Sequence, residues 1–428
     1  MNNKIKKVFE YSTLSLDDTF KEEHFKRLIH YNEKHGNKFF SVGNKRIYFK
    51  QYVGVIQIGD VIIEILPKAD KSSVDDESSK NKWHDTLVDM LRECGFIKLE
   101  NLTNANLKLR SASLIDLYFE TFLNEVQSLI HHGLVKQYRL EESNLYKLKG
   151  MLIFSRNISE NLIHKERFYT AHQVYDRNNV FNRILNKALN VLVSVTNNPG
   201  LIKSARNLQL SFEEVSDINV NENTFKNLRF SRITEAYRQA IQLARLIILN
   251  FSPDLKGGRE NIMAILFDMN KLFEKFIYRR LKREENNFGE YKLHIKGQTS
   301  REFWQGRSVR PDIILEYMID DEQHRVIIDT KWKVLASEGP HDSDLRQMFV
   351  YNVHFKSFHG VLLYPKGEDI SQVDRAYEPS LMLENCEHFC RTYSANLFDN
   401  RGRIKKDLGK EIIMDLTSIY NVEAKAQL

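Results

Sequence analysis

Between Lys45 and Leu66 apolar residues alternate with polar ones, and Gly43, Gly54 and Gly59 punctuate the run, which predicts a small β-rich module. The spacing then changes. Trp83–Cys94, Ser113–His132, Phe181–Val195 and Ile233–Leu249 repeat apolar residues every three to four positions and predict amphipathic helices. Asp70–Asn81 is charged, serine-bearing and without apolar period, so it predicts a mobile loop. Pro253–Gly258 breaks the helical pattern and predicts a boundary between regions 1–258 and 259–428, with the β-rich module occupying about the first 67 residues. Residues from Val422 onward predict a frayed end.

Past that break, Ile262–Arg283 carries Ile265, Leu266, Met269, Leu272, Phe273, Phe276, Ile277 and Leu281 at helical spacing and predicts one helix, with Glu274 among them. Ile313–Met318 and Arg325–Thr330 predict two strands, joined by a hairpin connection at Asp320–Gln323. Asp342–Tyr351 opens with an N-cap signal and continues as a helix that puts Asp344, Gln347 and Tyr351 on one face. Gly360–Pro365 predicts a buried strand. The expected fold class is mixed α and β. A β-rich and helical amino-terminal region precedes an α/β core ordered helix, three strands, helix, strand.

The hairpin carries the candidate chemistry. An antiparallel pairing brings Asp312, at the start of one strand, alongside Asp329, at the end of the next. Asp329 and Lys331 are two apart and share a face, whereas Thr330 is expected on the other. Two carboxylates suit Mg²⁺, a hard ion that keeps several waters and takes substrate phosphate, and Mn²⁺ can substitute. Lys331 is placed to orient a bound water, or to help deprotonate it if burial lowers its pKa far enough. From the residues alone, Glu274 reads as a surface carboxylate pairing with Lys275, Tyr278 or Arg279.

Pro311-Asp312 followed by Asp329-Thr330-Lys331 resembles the signature of the PD-(D/E)XK nuclease superfamily, and Gln347-x-x-x-Tyr351 resembles an accessory motif of its RecB-like branch. Phe267–Glu274, Arg310–Asp312, Asp329–Lys333 and Asp344–Tyr351 together resemble the McrC subunits of McrBC restriction systems. Gly54–Gly59, Ile63–Lys68, Leu148–Leu152, Asn161–Phe168 and Asn182–Leu185 extend that resemblance from about residue 40 to about 420. Met151 stands where an arginine is common, and Asp70–Lys82 looks like an insertion. The resemblance implies a restriction-endonuclease-like carboxy-terminal domain cutting DNA that contains modified cytosine, such as 5-methylcytosine. Asp312 and Asp329 would be its metal ligands, with Lys331, Gln347 and Tyr351 as site residues, and Glu274 gains a second reading, a further, water-mediated metal contact. It also implies an amino-terminal region that binds a hexameric McrB-like AAA+ ring and stimulates its GTPase. Two alternatives stand beside this reading: a non-cleaving activator or scaffold of such a ring, and a free-standing RecB-like nuclease.

Composition adds limits. No Gly-x-x-x-x-Gly-Lys-Ser/Thr occurs, so a P-loop nucleotidase is excluded and the motor would be a separate protein. The net charge of +6 is concentrated: Lys271–Arg310 holds eleven Lys/Arg against five Asp/Glu, which suits a phosphate backbone or a solvated helix face. Three cysteines and no apolar run of ~20 residues point to a reducing cytoplasm and no membrane span. Cys386-x-His388-x-Cys390 lacks the second ligand pair that a structural zinc site uses, which favours buried thiols. Arg139, Lys147 and Lys149 lie in a polar central stretch, either as partner contacts or as solvated cations.

Overall fold

The computed structural model describes residues 4–68, 76–97, 113–252, 261–288, 292–319, 322–333, 339–366, 374–377 and 388–426. Two compact units emerge: Met1–Lys4, Ile56–Ile62 and Ile115–Ile265 form one, while Ile5–Val55, Ile63–Leu114 and Leu266–Leu428 form the other. The expected break at Pro253–Gly258 lies outside the described residues, and these units do not follow a linear cut there. Among the described residues no helix is long and apolar enough to cross a membrane.

The first unit is mainly helical. Val180–Val195 begins where Asn179 accepts a hydrogen bond from Asn182 N, and it packs Ile184, Leu185, Ala188 and Leu192 into a core shared with Ala240, Ile241, Ala244 and Ile247 of Arg238–Leu249. The predicted helix at Ile233 starts later, at Arg238, after a short 3₁₀ turn. A three-stranded sheet joins this unit, with Phe168–Asp176 between Gln137–Leu145 and Met151–Leu152.

In the second unit, helix α1 (Glu77–Glu93) starts at Asp76, whose side chain accepts from Ser79 N at 2.8 Å. The expected loop over Asp70–Asn81 is therefore helical at its end, because a capping aspartate outweighs the missing apolar period; Asp70–Asp75 lie outside the described residues. Helix α2 (Met269–Glu284) packs beside α1, with Cys94 Sγ donating to Leu272 O and Arg280 facing Glu93. The sequence pattern predicted one helix from Ile262, yet Ile262–Asp268 is a strand and the helix starts only at Met269. A continuous apolar run satisfies either period, and Asp268 decides the boundary by accepting from Asn270 N and Lys271 N.

A six-stranded sheet follows: β1 (His294–Gly297), β2 (Ile313–Ile319), β3 (Glu322–Thr330), β4 (His359–Pro365), β5 (Asp374–Ala376) and β6 (Phe389–Ala395), in spatial order β1-β2-β3-β4-β6-β5. β2 and β3 form the expected antiparallel hairpin, while β4 runs parallel to both β3 and β6. Helix α3 (Asp342–Phe355) crosses between β3 and β4 and covers Ile314, Ile327 and Leu362 with Met348, Tyr351 and Phe355. Gly360 permits that approach, since a Cβ there would lie 2.8 Å from Met348 Cε. Within this sheet and its helices the order α2, β1, β2, β3, α3, β4 follows the expected helix, three strands, helix, strand, with a separate two-stranded ribbon, Arg301–Trp304 and Arg307–Val309, between β1 and β2.

Candidate functional site

Register builds the site. Ile313 pairs with Ile328, so Asp312 and Asp329 arrive at the same edge of the hairpin, one just before β2 and the other next to last in β3. Asp312 Oδ2 accepts from both Thr330 N–H and Thr330 Oγ1–H, each at 2.8 Å. Thr330 was expected to point away. Its hydroxyl reaches Asp312 because Asp312 lies beyond the last paired residue of β2, where no ladder holds its side chain to one face.

Asp329 has only 4% of its side chain exposed, and its Oδ2 lies 2.7 Å from Lys331 Nζ without a hydrogen bond of good geometry. Burial, then the nearby charge of Asp312, push its pKa up to about 6 despite the pull of Lys331. Asp312 is also raised by burial, against the two Thr330 hydrogen bonds and the charges of Lys331 and Arg310.

Lys331 Nζ also lies 3.3 Å from Asp344 Oδ1 and donates to Gln347 Oε1 at 3.3 Å. Burial alone lowers its pKa, but Asp329 and Asp344 together outweigh burial and the net shift is upward. Lys331 is therefore a firm cation. The condition set for Lys331 as a proton acceptor, a pKa lowered by burial, is opposed by these two carboxylates. Its backbone N–H, bonded to Leu363 O at 2.8 Å, fixes the strand end against β4.

From Gln347 the hydrogen bonds continue. Gln347 Nε2 donates to Tyr351 Oη at 2.6 Å, and Tyr351 donates to Arg310 O at 3.1 Å. One face of α3 thus connects the lysine to the segment that leads into Asp312. Asp344, on the same face, sits between Lys331 and Lys333, with Lys333 Nζ at 2.7 Å. Burial opposes its ionisation, yet the two lysines hold its pKa below the usual range.

Glu274, half-buried on α2, accepts from Gln298 Nε2 at 2.5 Å instead of pairing with Lys275, Tyr278 or Arg279. Burial and the charge of Asp312 raise its pKa, and Gln298 N donates to Asp312 O at 2.9 Å. Glu274 thereby joins the edge of the same cluster. Thr330, Asp344 and Gln298 were missed as site residues. The spacing of Asp344 with Gln347 was visible in the sequence, whereas Gln298 had no local signal.

Among the described residues no group of three or more His, Cys, Asp or Glu converges as a preformed metal cluster. The site presents two protein carboxylates, the donor number that Mg²⁺ commonly takes from protein. Cys386 lies outside the described residues, and Cys390 is a buried thiol whose pKa burial pushes up to about 12.

The family model described as "McrBC 5-methylcytosine restriction system component" matches residues 47–365, three quarters of the chain. The chain belongs to this McrBC family. Its matched span contains Glu274, Asp312, Asp329, Lys331, Gln347 and Tyr351. No curated protein matches. Among solved structures, a chain of the refined half-complex from the tetradecameric assembly of Thermococcus gammatolerans McrB AAA+ hexamers with bound McrC is 18% identical. That match covers 97% of this chain and all of the other, with a TM-score of 0.65, so the two share a fold. A chain of the cryo-EM structure of the Thermococcus gammatolerans McrBC complex is 21% identical over 66% of this chain and 88% of the other, with a TM-score of 0.48.

Proposed function

We propose that this McrBC family chain is the DNA endonuclease subunit of a modification-dependent restriction system, with its chemistry at the β2–β3 edge. The observation that carries the reading is the meeting of Asp312, Asp329 and Lys331 at one strand end, where Asp329 is buried and its Oδ2 lacks a well-formed hydrogen bond. A PD-(D/E)XK nuclease needs that arrangement.

The donors fit a hard cation. Asp312 and Asp329 would hold Mg²⁺ or Mn²⁺, with Glu274 contributing through a water, and no histidine or thiol competes in the set. Such an ion, when bound, neutralises charge on the phosphate and acidifies a water. Thr330 fixes one Asp312 oxygen so that the carboxylate keeps its aim. Lys331, favoured as a cation by Asp329 and Asp344, orients the attacking water and stabilises the negative charge developing on the phosphoryl oxygens, while Gln347, itself held by Tyr351, positions the ammonium. The expected products carry 5′-phosphate and 3′-hydroxyl ends.

The partner is proposed to be an McrB-like AAA+ GTPase ring. In the first unit the sheet Gln137–Leu145/Phe168–Asp176 and the segment beside it expose Tyr138, Leu140, Met151, Phe154, Leu162 and Ile163. So many large apolar side chains in one stretch mark a protein-binding surface. Arg139, weighed as a partner contact, is already engaged by Asp176 and Glu141.

The test is nicking of methylated plasmid by the full chain with its GTPase partner and GTP. Cleavage should need Mg²⁺ or Mn²⁺, cease in EDTA, and be weak in Ca²⁺. Undiminished cleavage in chelator would remove the metal from the account.

A further inference from the structure

Between β1 and β2 the chain leaves the sheet and forms a separate two-stranded ribbon, Arg301–Trp304 paired with Arg307–Val309. Its turn, Gln305-Gly306, has Gly306 at φ +73°, a conformation that favours glycine, and Gly306 N donates to Glu302 Oε1 at 3.1 Å. The base of the ribbon is anchored to α3. Arg301 donates to His354 O at 2.7 Å and lies over the Phe355 ring, Phe303 meets His354 edge-on, and Val309 packs against the core cluster that includes Tyr351. The tip is not anchored in this way. Trp304 is 69% exposed and sits opposite Arg307, which is itself exposed.

An exposed indole beside an exposed arginine offers a flat apolar face and a cation at one tip, a pair that suits a ligand both aromatic and anionic. Nucleobases and phosphates supply both. Trp304 precedes Asp312 by eight residues, a reach of at most ~29 Å for extended chain, which is under one turn of duplex DNA at roughly 34 Å. The same α3 that orients Lys331 through Gln347 also carries His354 and Phe355, so ribbon and site share one mount.

We propose that this ribbon is a DNA-contacting element in which Trp304 stacks on or wedges between bases and Arg307 meets the adjacent backbone, within one helical turn of the cleaved phosphate. This rests on the nuclease reading for its substrate and uses a readout independent of cleavage. A two-stranded ribbon fits a DNA groove, and aromatic or apolar wedges are established means of unstacking a base step.

The chain has three tryptophans, of which Trp83 and Trp332 are buried, so the fluorescence of Trp304 reports its own contacts. Full-length Asp329→Ala protein, titrated with labelled duplex DNA, should show tryptophan quenching together with a rise in anisotropy. Trp304→Ala in that background should abolish the quenching and weaken binding about tenfold, with Trp304→Phe recovering part of it. Arg307→Glu should weaken binding and flatten its salt dependence. Circular dichroism controls for folding. Unchanged affinity and quenching in folded Trp304→Ala overturn the proposal, as does loss of partner GTPase stimulation with DNA binding intact, which would assign the ribbon to a protein contact. Loss of DNA binding in Trp304→Ala alongside normal cleavage by Asp329→Ala would support the ribbon and reject the nuclease site, so the two failures are distinguishable.

Discussion

Thr330 gives both its backbone N–H and its hydroxyl to a single oxygen of Asp312, at 2.8 Å each. A carboxylate held this way keeps one rotamer, and the bond from the hydroxyl can be removed without touching the charge. Thr330→Val should therefore lower the cleavage rate about tenfold and weaken activation by Mn²⁺, leaving the fold intact, in line with the cost of one charge-assisted hydrogen bond. Metal-dependent rates across a Mn²⁺ titration measure it. A variant with wild-type rate and activation constant would show that Asp312 needs no such support.

Asp329 gives the site its pH dependence. Its pKa is pushed up to about 6 by burial and by Asp312, and a proton there would compete with the proposed metal ion. Activity should rise with pH through about 6 and level off above it, with metal activation weakening about tenfold per pH unit below. In the metal-free protein the sign is opposite. The folded state holds this proton more tightly than the unfolded state, so stability falls as pH rises from the ordinary aspartate range through about 6, and added Mn²⁺ restores it. Melting temperatures with and without Mn²⁺ at pH 5 and pH 8 test both signs. A Mn²⁺ stabilisation as large at pH 5 as at pH 8 would count against the assignment.

Glu10 is a buried carboxylate bonded to Trp332, the residue after Lys331. Its Oε1 accepts from Trp332 Nε1 at 2.6 Å and from Lys68 N at 3.0 Å, and burial pushes its pKa up to about 7. A raised acid pKa costs stability as pH climbs from the ordinary glutamate range through about 7. Glu10→Gln keeps both acceptor contacts and removes the charge, so it should raise the melting temperature at pH 8 more than at pH 5. Equal shifts at both pH values would mean that Glu10 is not the titrating group.

The hairpin, the helix bearing Gln347 and the strand at Gly360 were legible because each is a local pattern with turn or cap residues at its ends. The strand Ile262–Asp268 was not, since six apolar residues in succession fit a buried strand as well as a helix. The Asp312–Asp329 pairing followed from hairpin register alone. Thr330 turning to Asp312 did not, because the rule that alternates faces lapses at a strand end. Gln298 reaches the site from just past β1, and residues 5–55 join the carboxy-terminal unit, through contacts that no sequence window contains. The stretch holding Arg139, Lys147 and Lys149 reads as polar because exposed Tyr138 and Leu140 alternate with Arg139 and Glu141, so no apolar period marks them.

Partner stimulation and cutting should separate. Lys331→Ala removes a charge that the proposed site uses for hydrolysis alone, and the variant should still stimulate the GTPase partner at near wild-type rate. Tyr138→Ser with Leu140→Ser, on exposed positions of the first unit, should reduce stimulation several-fold with the carboxylate site unaltered. Steady-state GTP hydrolysis with each full-length variant checks this. Loss of stimulation in Lys331→Ala, with normal stimulation by the double variant, would reverse the division of labour.

The most direct measurement is plasmid nicking by Asp329→Ala in complex with the GTPase partner, with circular dichroism and GTPase stimulation as controls for folding and assembly. The account predicts no cleavage above background while both controls remain normal, because it assigns Asp329 to the metal and Asp329 is also the ion-pair partner of Lys331. Cleavage at the wild-type rate by this folded, assembled variant would contradict it, and the β2–β3 edge would then be a structural ion pair in a chain that assists its partner without cutting.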